Sequence, residues 1–409
     1  MNLDFKLTYV SRYDEKKSYY ILDKGNYIIR VGNNSQNTNI YGYIELDEDI
    51  ITQQLKKINT GDLGFNDYKT KVILKDDLSN IQRIKLTKND FDFKKIEYNY
   101  EYKINNKISK LKDTDLAYMC VGDYSDMNEK LSGIGGLTAK NVKSINKYIR
   151  MSDGPAGLSF RNMFSDDKDT KSTTAIPIEI ALAQSFNIEL IEKYGTIIAN
   201  EMNIFNIQLW LAPAINIHRN ILCGRNYEYY SEDPLLTGKM AATMVKTIQS
   251  YKNKGATIKH YAANNQETNK FNNNSKMSER TLREIYLKGF QIAIEESQPL
   301  AIMTSYNLLN GIHPSSNKEL LIDVLRSEWN FEGLIMTDFS ITGIYDNESF
   351  KYQGQNVFDN IKNGNNLMMP GSEVDYNILI DKLNEKLLTR EDLLHCASKV
   401  YDTVELLNQ

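Results

Sequence analysis

Gly333-Leu-Ile-Met-Thr-Asp-Phe-Ser340 is the stretch on which the fold turns. Its apolar run delivers one carboxylate, Asp338, to the end of a buried strand, and small polar residues follow. In a barrel of parallel strands the catalytic groups sit at strand C-termini. Read alone, Asp338 is equally a helix cap or a turn residue. Similar strand ends upstream, each finished by polar residues, favour the barrel.

Those upstream runs are Tyr148-Ile-Arg-Met-Ser152 before Asp153-Gly-Pro155, Ile207-Gln-Leu-Trp-Leu211 before Ala-Pro213, Ala256-Thr-Ile-Lys-His260, and Ala301-Ile-Met-Thr-Ser-Tyr306. Asn365-Asn-Leu-Met-Met369 is a further candidate downstream. Helical patterns lie between them. Asp233-Pro234 offers an N-cap with a first-turn proline, and Leu236, Met240, Met244 and Ile248 recur at four-residue spacing. Ser316 with Glu319 predicts a capping box, and Thr389 caps a final amphipathic helix through Val404. Alternating strands and helices favour a (β/α)8-type TIM barrel over an open sheet, because no Gly-x-Gly-x-x-Gly follows any strand.

The first hundred residues differ. Tyr19–Leu22, Tyr27–Val31 and Ile40–Ile44 predict short strands around turns. Three or four strands fall short of the seven or so of a β-sandwich, so a sandwich here is expected to be half of one. From Glu45 the chain is charged and irregular. The expected organisation is a partial β segment at 1–46, a wrapping linker at 47–115 and a barrel at 116–409.

A formal net charge of −4 gives no support for a nucleic-acid partner. Cys120, Cys223 and Cys396, with four scattered histidines, have no metal-type spacing, so neither a disulfide framework, a metal nor a cofactor is expected. No apolar run approaches a bilayer span, and the N-terminus lacks a signal-peptide shape, which sets the expectation of a cytoplasmic protein.

Each strand end carries its own polar set. Gly154 and Pro155 aim Asp153 off the rim, or leave it a plain turn residue. Lys259-His260 suits a hydroxyl-rich ligand, or is a core histidine beside a snorkelling lysine. Arg225, Glu228, Glu232 and Asp233 share one aromatic loop, where Arg225 reads as functional and Glu232-Asp233 as a helix N-terminus. Two carboxylates near a sugar C1 cleave a glycosidic bond, one as nucleophile and one as general acid.

Together, Arg150-Met-Ser-Asp-Gly-Pro155, Asn216-Ile-His-Arg219, Gly224-Arg-Asn-Tyr-Glu228, Lys259-His-Tyr-Ala-Ala-Asn-Asn-Gln-Glu267, Met303-Thr-Ser-Tyr-Asn307, Gly333–Asp338 and Asn363–Gly371 resemble the glycoside hydrolase family 3 β-glucosidases, in family order. The resemblance implies a retaining exo-acting hydrolase of terminal β-glucosyl residues with Asp338 as nucleophile. It implies that Asp153 grips the far hydroxyls, Arg225, Lys259 and His260 the nearer ones, and that Tyr306 stands beside the nucleophile. Phe339 replaces the family's tryptophan, and the arginine that follows Asp-Gly-Pro is displaced to Arg161.

Residues 3–44 resemble the closing strands of a fibronectin III-like domain in members with reversed domain order. In that arrangement an α/β sandwich, which supplies the acid/base glutamate, comes first. The implied partner is a polypeptide carrying that sandwich; Glu267 and Glu228 are the in-chain stand-ins for the acid. The alternatives are a catalytically impaired fragment and a sugar-binding barrel.

Overall fold

The structure is a computed structural model that describes residues 6–58, 63–68, 76–123, 136–138 (backbone alone), 142–159, 173–339, 351–352 and 355–409. Arg161 lies outside the described residues. The chain forms two compact units: Met1–Tyr98 with Ser278–Glu284, and Asn99–Met277 with Ile285–Gln409.

The first unit holds seven strands among its described residues. β1 (Arg12–Asp14), β2 (Tyr19–Leu22), β5 (Ile50–Gln54) and β7 (Lys94–Lys95) form one sheet in the order β1-β2-β5-β7. β3 (Gly25–Gly32), β4 (Thr38–Leu46) and β6 (Gln82–Leu86) form another. Leu22, Ile44, Leu46 and Ile50 make a small shared apolar cluster, edged by Tyr27, Ile29, Leu86 and Phe91. On β4 the alternation of Gly42, Ile44 and Leu46 turns one face inward, as the two-residue strand period requires.

Two expectations are corrected here. Residues 47–115 are not an irregular linker, since β5, β6 and β7 lie inside that stretch, and the unit boundary falls after Tyr98. Gln82-Arg-Ile-Lys-Leu86 is mostly exposed and shows no alternation; it becomes a strand by pairing parallel to Gly42–Leu46, a contact that local pattern does not encode. Nor does the unit stop at half a sandwich's strands, since β1–β7 form a sheet of four and a sheet of three.

The segment Ser278–Glu284 belongs to this unit through a buried network. The Tyr13 hydroxyl and Arg283 Nε donate to Glu279 Oε1 at 2.6 and 2.9 Å, and the Ile58 N–H does so at 3.0 Å. A buried ion pair that is also hydrogen-bonded to backbone loses heavily when one partner is removed.

The second unit is a TIM-barrel-like α/β fold. β9 (Ile149–Ser152), β10 (Leu209–Trp210), β11 (Gly255–Tyr261), β13 (Ala301–Thr304) and β15 (Leu334–Met336) are parallel neighbours, and β8 (Gly136–Thr138) joins β9 antiparallel. A second small ribbon pairs β12 (Asn274–Ser275) with β14 (Leu308–Leu309). β11, β13 and β15 are wholly buried, which is why they read as apolar runs without alternation.

The described residues depart from an eight-strand, all-parallel barrel. β8 runs the other way, and Asn365–Met369 contributes single bridges, Leu367 to Met336 and Met368 to Val121, rather than a ladder.

Helices α3 (Ile188–Ile204), α4 (Pro234–Gln249) and α6 (Lys288–Ser297) lie in crossovers, with α1 (Asp113–Met119), α2 (Glu179–Gln184), α7 (Val357–Lys362), α8 (Glu373–Asn384) and α9 (Arg390–Leu406) completing the unit, while the short α5 (Glu279–Thr281) belongs to the first unit. Asp233 caps α4 by accepting from the Leu235 N–H at 2.7 Å, and Met240, Met244 and Ile248 are buried. Gly238 lets α4 approach α6, since a Cβ there would lie 2.7 Å from Ile292 Cβ. Thr389 and Asp392 form the expected cap of α9. The Ser316–Glu319 box does not form: Asn317 accepts from the Leu320 N–H at 3.2 Å, while the Ser316 hydroxyl turns back to the His313 carbonyl. No helix among the described residues is long and apolar enough to cross a membrane.

Candidate active site

The parallel strands deliver their C-terminal residues to one polar layer. Asp153 follows β9, Lys259 and His260 lie at the C-terminal end of β11, Tyr306 follows β13 and Asp338 follows β15. The loop after β10 supplies Asn216, Arg225 and Glu228. All six residues singled out from sequence therefore meet in this unit, connected pair by pair.

Lys259 is 2% exposed, so it does not snorkel to solvent. Its Nζ donates to Asp153 Oδ1 at 2.5 Å, while the Asp153 side chain stays 46% exposed. Burial works against the charge on Asp153, yet Lys259, with the Gly154 N–H and Arg225, holds its carboxyl below the usual range.

His260 is clamped by Asn216. The Asn216 Oδ1 accepts from the His260 backbone N–H at 2.9 Å, and its Nδ2 donates to the His260 carbonyl at 2.8 Å. Those two bonds fix the amide's orientation, so the same Oδ1, 3.3 Å from the imidazole Nδ1, accepts a hydrogen bond from a protonated Nδ1. Nε2 is then unprotonated and accepts from Arg225 Nη2 at 3.0 Å. Burial, and then the charges of Arg225, Lys259 and Lys270, hold the imidazole well below its usual range, in keeping with this neutral tautomer.

Asp338 has a different setting. It is 7% exposed; its Oδ1 accepts from the Phe339 N–H at 2.7 Å. Oδ2 lies 3.7 Å from His260 Nε2 and makes no hydrogen bond among the described residues. Burial pushes this carboxyl above the usual range; Arg225, the Phe339 N–H, Lys259 and Tyr306 oppose that without overcoming it. Arg225 and Lys259 thus favour the ionised carboxylate by Coulomb attraction, and desolvation outweighs them. Tyr306 donates to the Phe339 carbonyl at 2.5 Å, beside Asp338.

Arg225 ties the layer together. Its Nε donates to Glu228, Nη2 serves His260, and Nη1 lies 3.9 Å from Glu267. Glu267 also accepts from Lys270 at 3.0 Å. Both stand-ins for the general acid are therefore engaged by cations, whereas a proton donor calls for an apolar or anionic setting.

Two residues escaped the sequence reading. Asn216 lay inside a quoted motif, yet nothing in sequence marks it as the clamp of His260. Glu179, first in α2, is 1% exposed, with an Oε2 that has no partner among the described residues; burial, aided by Glu228, pushes it well above the usual range. No cluster of three His, Cys, Asp or Glu side chains among the described residues is arranged to hold a metal.

A family profile described as the glycosyl hydrolase family 3 N-terminal domain matches residues 158–402, more than half of the chain. The chain belongs to glycoside hydrolase family 3. The matched range contains Arg225, Lys259, His260, Tyr306 and Asp338; Asp153 precedes it. Among its relatives, Beta-glucosidase A of Butyrivibrio fibrisolvens is 37% identical over 286 residues, 70% of this chain and 32% of that protein. A beta-glucosidase from Paenibacillus barengoltzii superposes with a TM-score of 0.77 at 27% identity, over 98% of this chain and 47% of its own. Beta-glucosidase 3B from Thermotoga neapolitana, in complex with glucose, gives 0.65 at 38% identity, over 74% and 44%. This family 3 chain spans about a third of the curated relative's length and under half of the two solved enzymes.

Proposed function

We propose that this chain carries the nucleophile and sugar-binding half of a retaining, exo-acting β-glycoside hydrolase acting on terminal β-D-glucosyl residues. The observation that carries the proposal is Asp338 Oδ2, buried at a strand end with no hydrogen-bond partner among the described residues and flanked by the Arg225–His260 and Lys259–Asp153 pairs.

In the first step Asp338 Oδ2 bonds to the sugar C1 as the bond from C1 to the leaving oxygen breaks, and that oxygen takes a proton from a general acid. Water then attacks C1, gives its proton to the same group, and the ester to Asp338 breaks. Asp153, half exposed and ionised, accepts from sugar hydroxyls; Lys259 and Arg225 donate to them. His260 Nε2, whose one lone pair accepts from Arg225 Nη2, holds that guanidinium in place. Tyr306 orders the backbone next to the nucleophile.

The acid is the part we place outside the described residues, in a further domain or a partner polypeptide carrying an α/β sandwich. In support, Glu228 and Glu267 are both engaged by Arg225. The first unit enters the same proposal as a fibronectin III-like sandwich, supported by its seven described strands in two sheets.

The same engagement of Glu228 and Glu267 favours one second reading, a barrel that binds sugar without cleaving it. Intact mass after incubation with 2-deoxy-2-fluoro-β-D-glucosyl fluoride separates the two, because fluoride departs without an acid. An adduct on Asp338, absent from Asp338→Asn, is the expected outcome. Glucose binding with no adduct favours the sugar-binding barrel.

A further inference from the structure

The loop that leaves β11 carries an ion pair whose two members face different sides of the site. Glu267 accepts from Lys270 through Oε2, while its Oε1, buried and without a hydrogen bond among the described residues, lies 3.9 Å from Arg225 Nη1. Lys270 Nζ sits 4.9 Å from the Tyr306 ring centroid and 5.4 Å from that of Phe271. Those two rings meet edge to face at 5.3 Å. Tyr306 then holds the Phe339 carbonyl next to Asp338.

Arg225 thus reaches the nucleophile by two routes. The inner one passes through His260. The outer one passes through Glu267, Lys270 and Tyr306. A solvated i,i+3 pair on a surface loop contributes little. Here each side chain is 23% exposed, and each has a second contact inside the site, so the pair is more than a surface contact. A cation over a partly desolvated aromatic face is held more firmly than one in water.

We propose that Glu267 and Lys270 form a clasp that positions Arg225 and Tyr306 around Asp338; this rests on the reading of Asp338 as nucleophile. Both are positioning residues, with no contact to the reacting atoms. With the Lys270 charge gone, Glu267 has Arg225 as its cation and draws the guanidinium away from His260 Nε2. With Glu267 gone, Lys270 loses the carboxylate that fixes it over Tyr306.

The test measures the rate of adduct formation with 2-deoxy-2-fluoro-β-D-glucosyl fluoride in the full chain, in Lys270→Met, and in Lys270→Arg. Lys270→Met is expected to be about tenfold to hundredfold slower, since small misplacements around a reacting centre cost that much. Lys270→Arg, which keeps the charge over Tyr306, is expected to recover most of the rate. Thermal unfolding of Lys270→Met, Glu267→Gln and the double variant supplies a measurement that needs no chemistry. The double variant is expected to lose less than the sum of the single losses, because the pair acts as a unit.

A Lys270→Met rate equal to that of the unsubstituted chain overturns the clasp, as does Lys270→Arg falling as far as Lys270→Met. Additive losses in the thermal cycle overturn it too. An unsubstituted chain that forms no adduct counts against Asp338 as nucleophile instead, and the thermal cycle then decides the clasp by itself.

Discussion

Two carboxylates share one polar layer and sit at opposite extremes within it. Asp153, at the end of β9, is half exposed and bonded to Lys259, and it is held below the usual carboxylate range. Asp338, at the end of β15, is buried with one oxygen unpartnered, and it is pushed above that range. Paired groups whose surroundings drive their protonation apart are how a site divides labour between like residues. The ion-paired carboxylate has its charge secured and is suited to hold hydroxyls. The desolvated one is costly to charge and poorly solvated once charged, which suits a nucleophile.

The largest expected effect falls on Asp338. Asp338→Asn is expected to cut hydrolysis of an activated aryl β-glucoside by about 10⁴-fold or more, as loss of a nucleophile does, while glucose binding measured by calorimetry persists. Comparable loss of binding in that variant would erase the distinction between the two carboxylates.

Next comes the proton donor. General acid catalysis contributes typically about 10²–10⁴-fold, so the chain by itself is expected to show that shortfall on cellobiose relative to the enzyme assembled with its acid. A 2,4-dinitrophenyl glucoside should show little shortfall. Ordinary turnover of cellobiose by the chain alone would mean that the acid lies within it.

A smaller effect is expected for Asp153→Asn. KM for the activated substrate should rise about tenfold to a hundredfold, since a polar site that loses a hydrogen-bonded charge gives up a few kcal/mol of binding. The adduct should still map to Asp338.

The smallest effect tests the comparison most directly, through stability against pH. Asp338 is raised in the fold, so its contribution is present at acid pH and is lost as pH rises through its folded value. Asp153 is lowered, so its contribution is present at neutral pH and is lost as pH falls through its folded value. At pH 7 Asp338→Asn is therefore expected to raise the melting temperature, by about 1–2 °C, and Asp153→Asn to lower it. Both differences should shrink on acidification. Scanning calorimetry between neutral and acid pH reads this, and shifts of the same sign would show that the two settings are alike.

Much of the barrel unit was legible because buried parallel strands are written as apolar runs, and Ile149–Ser152, Gly255–Tyr261, Ala301–Thr304 and Leu334–Met336 stand where such runs occur. The caps at Asp233 and Thr389 were legible because a cap is a local hydrogen bond. Gln82–Leu86 was not, since its strand state depends on β4, about forty residues away in sequence. The reversed direction of β8 is equally invisible in Gly136-Leu-Thr138. Asn317 displaced Ser316 as a cap because both residue types can serve and the backbone path chose between them.

The sequence by itself determined which chemical groups stand at the strand ends and in what order, because strand and helix periods and family motifs are local in the chain. It thereby determined membership of family 3 and singled out Asp153, Arg225, Lys259, His260, Tyr306 and Asp338 as candidates. Only the tertiary structure decided what each group does to its neighbours: that Asn216 fixes the His260 tautomer, that Arg225 engages Glu228 and approaches Glu267, and that Asp153 and Asp338 differ in charge preference. The reason is physical. Desolvation and Coulomb interaction depend on distances within the barrel, and residues far apart in sequence, such as Asp153 and Lys259, acquire those distances only on folding.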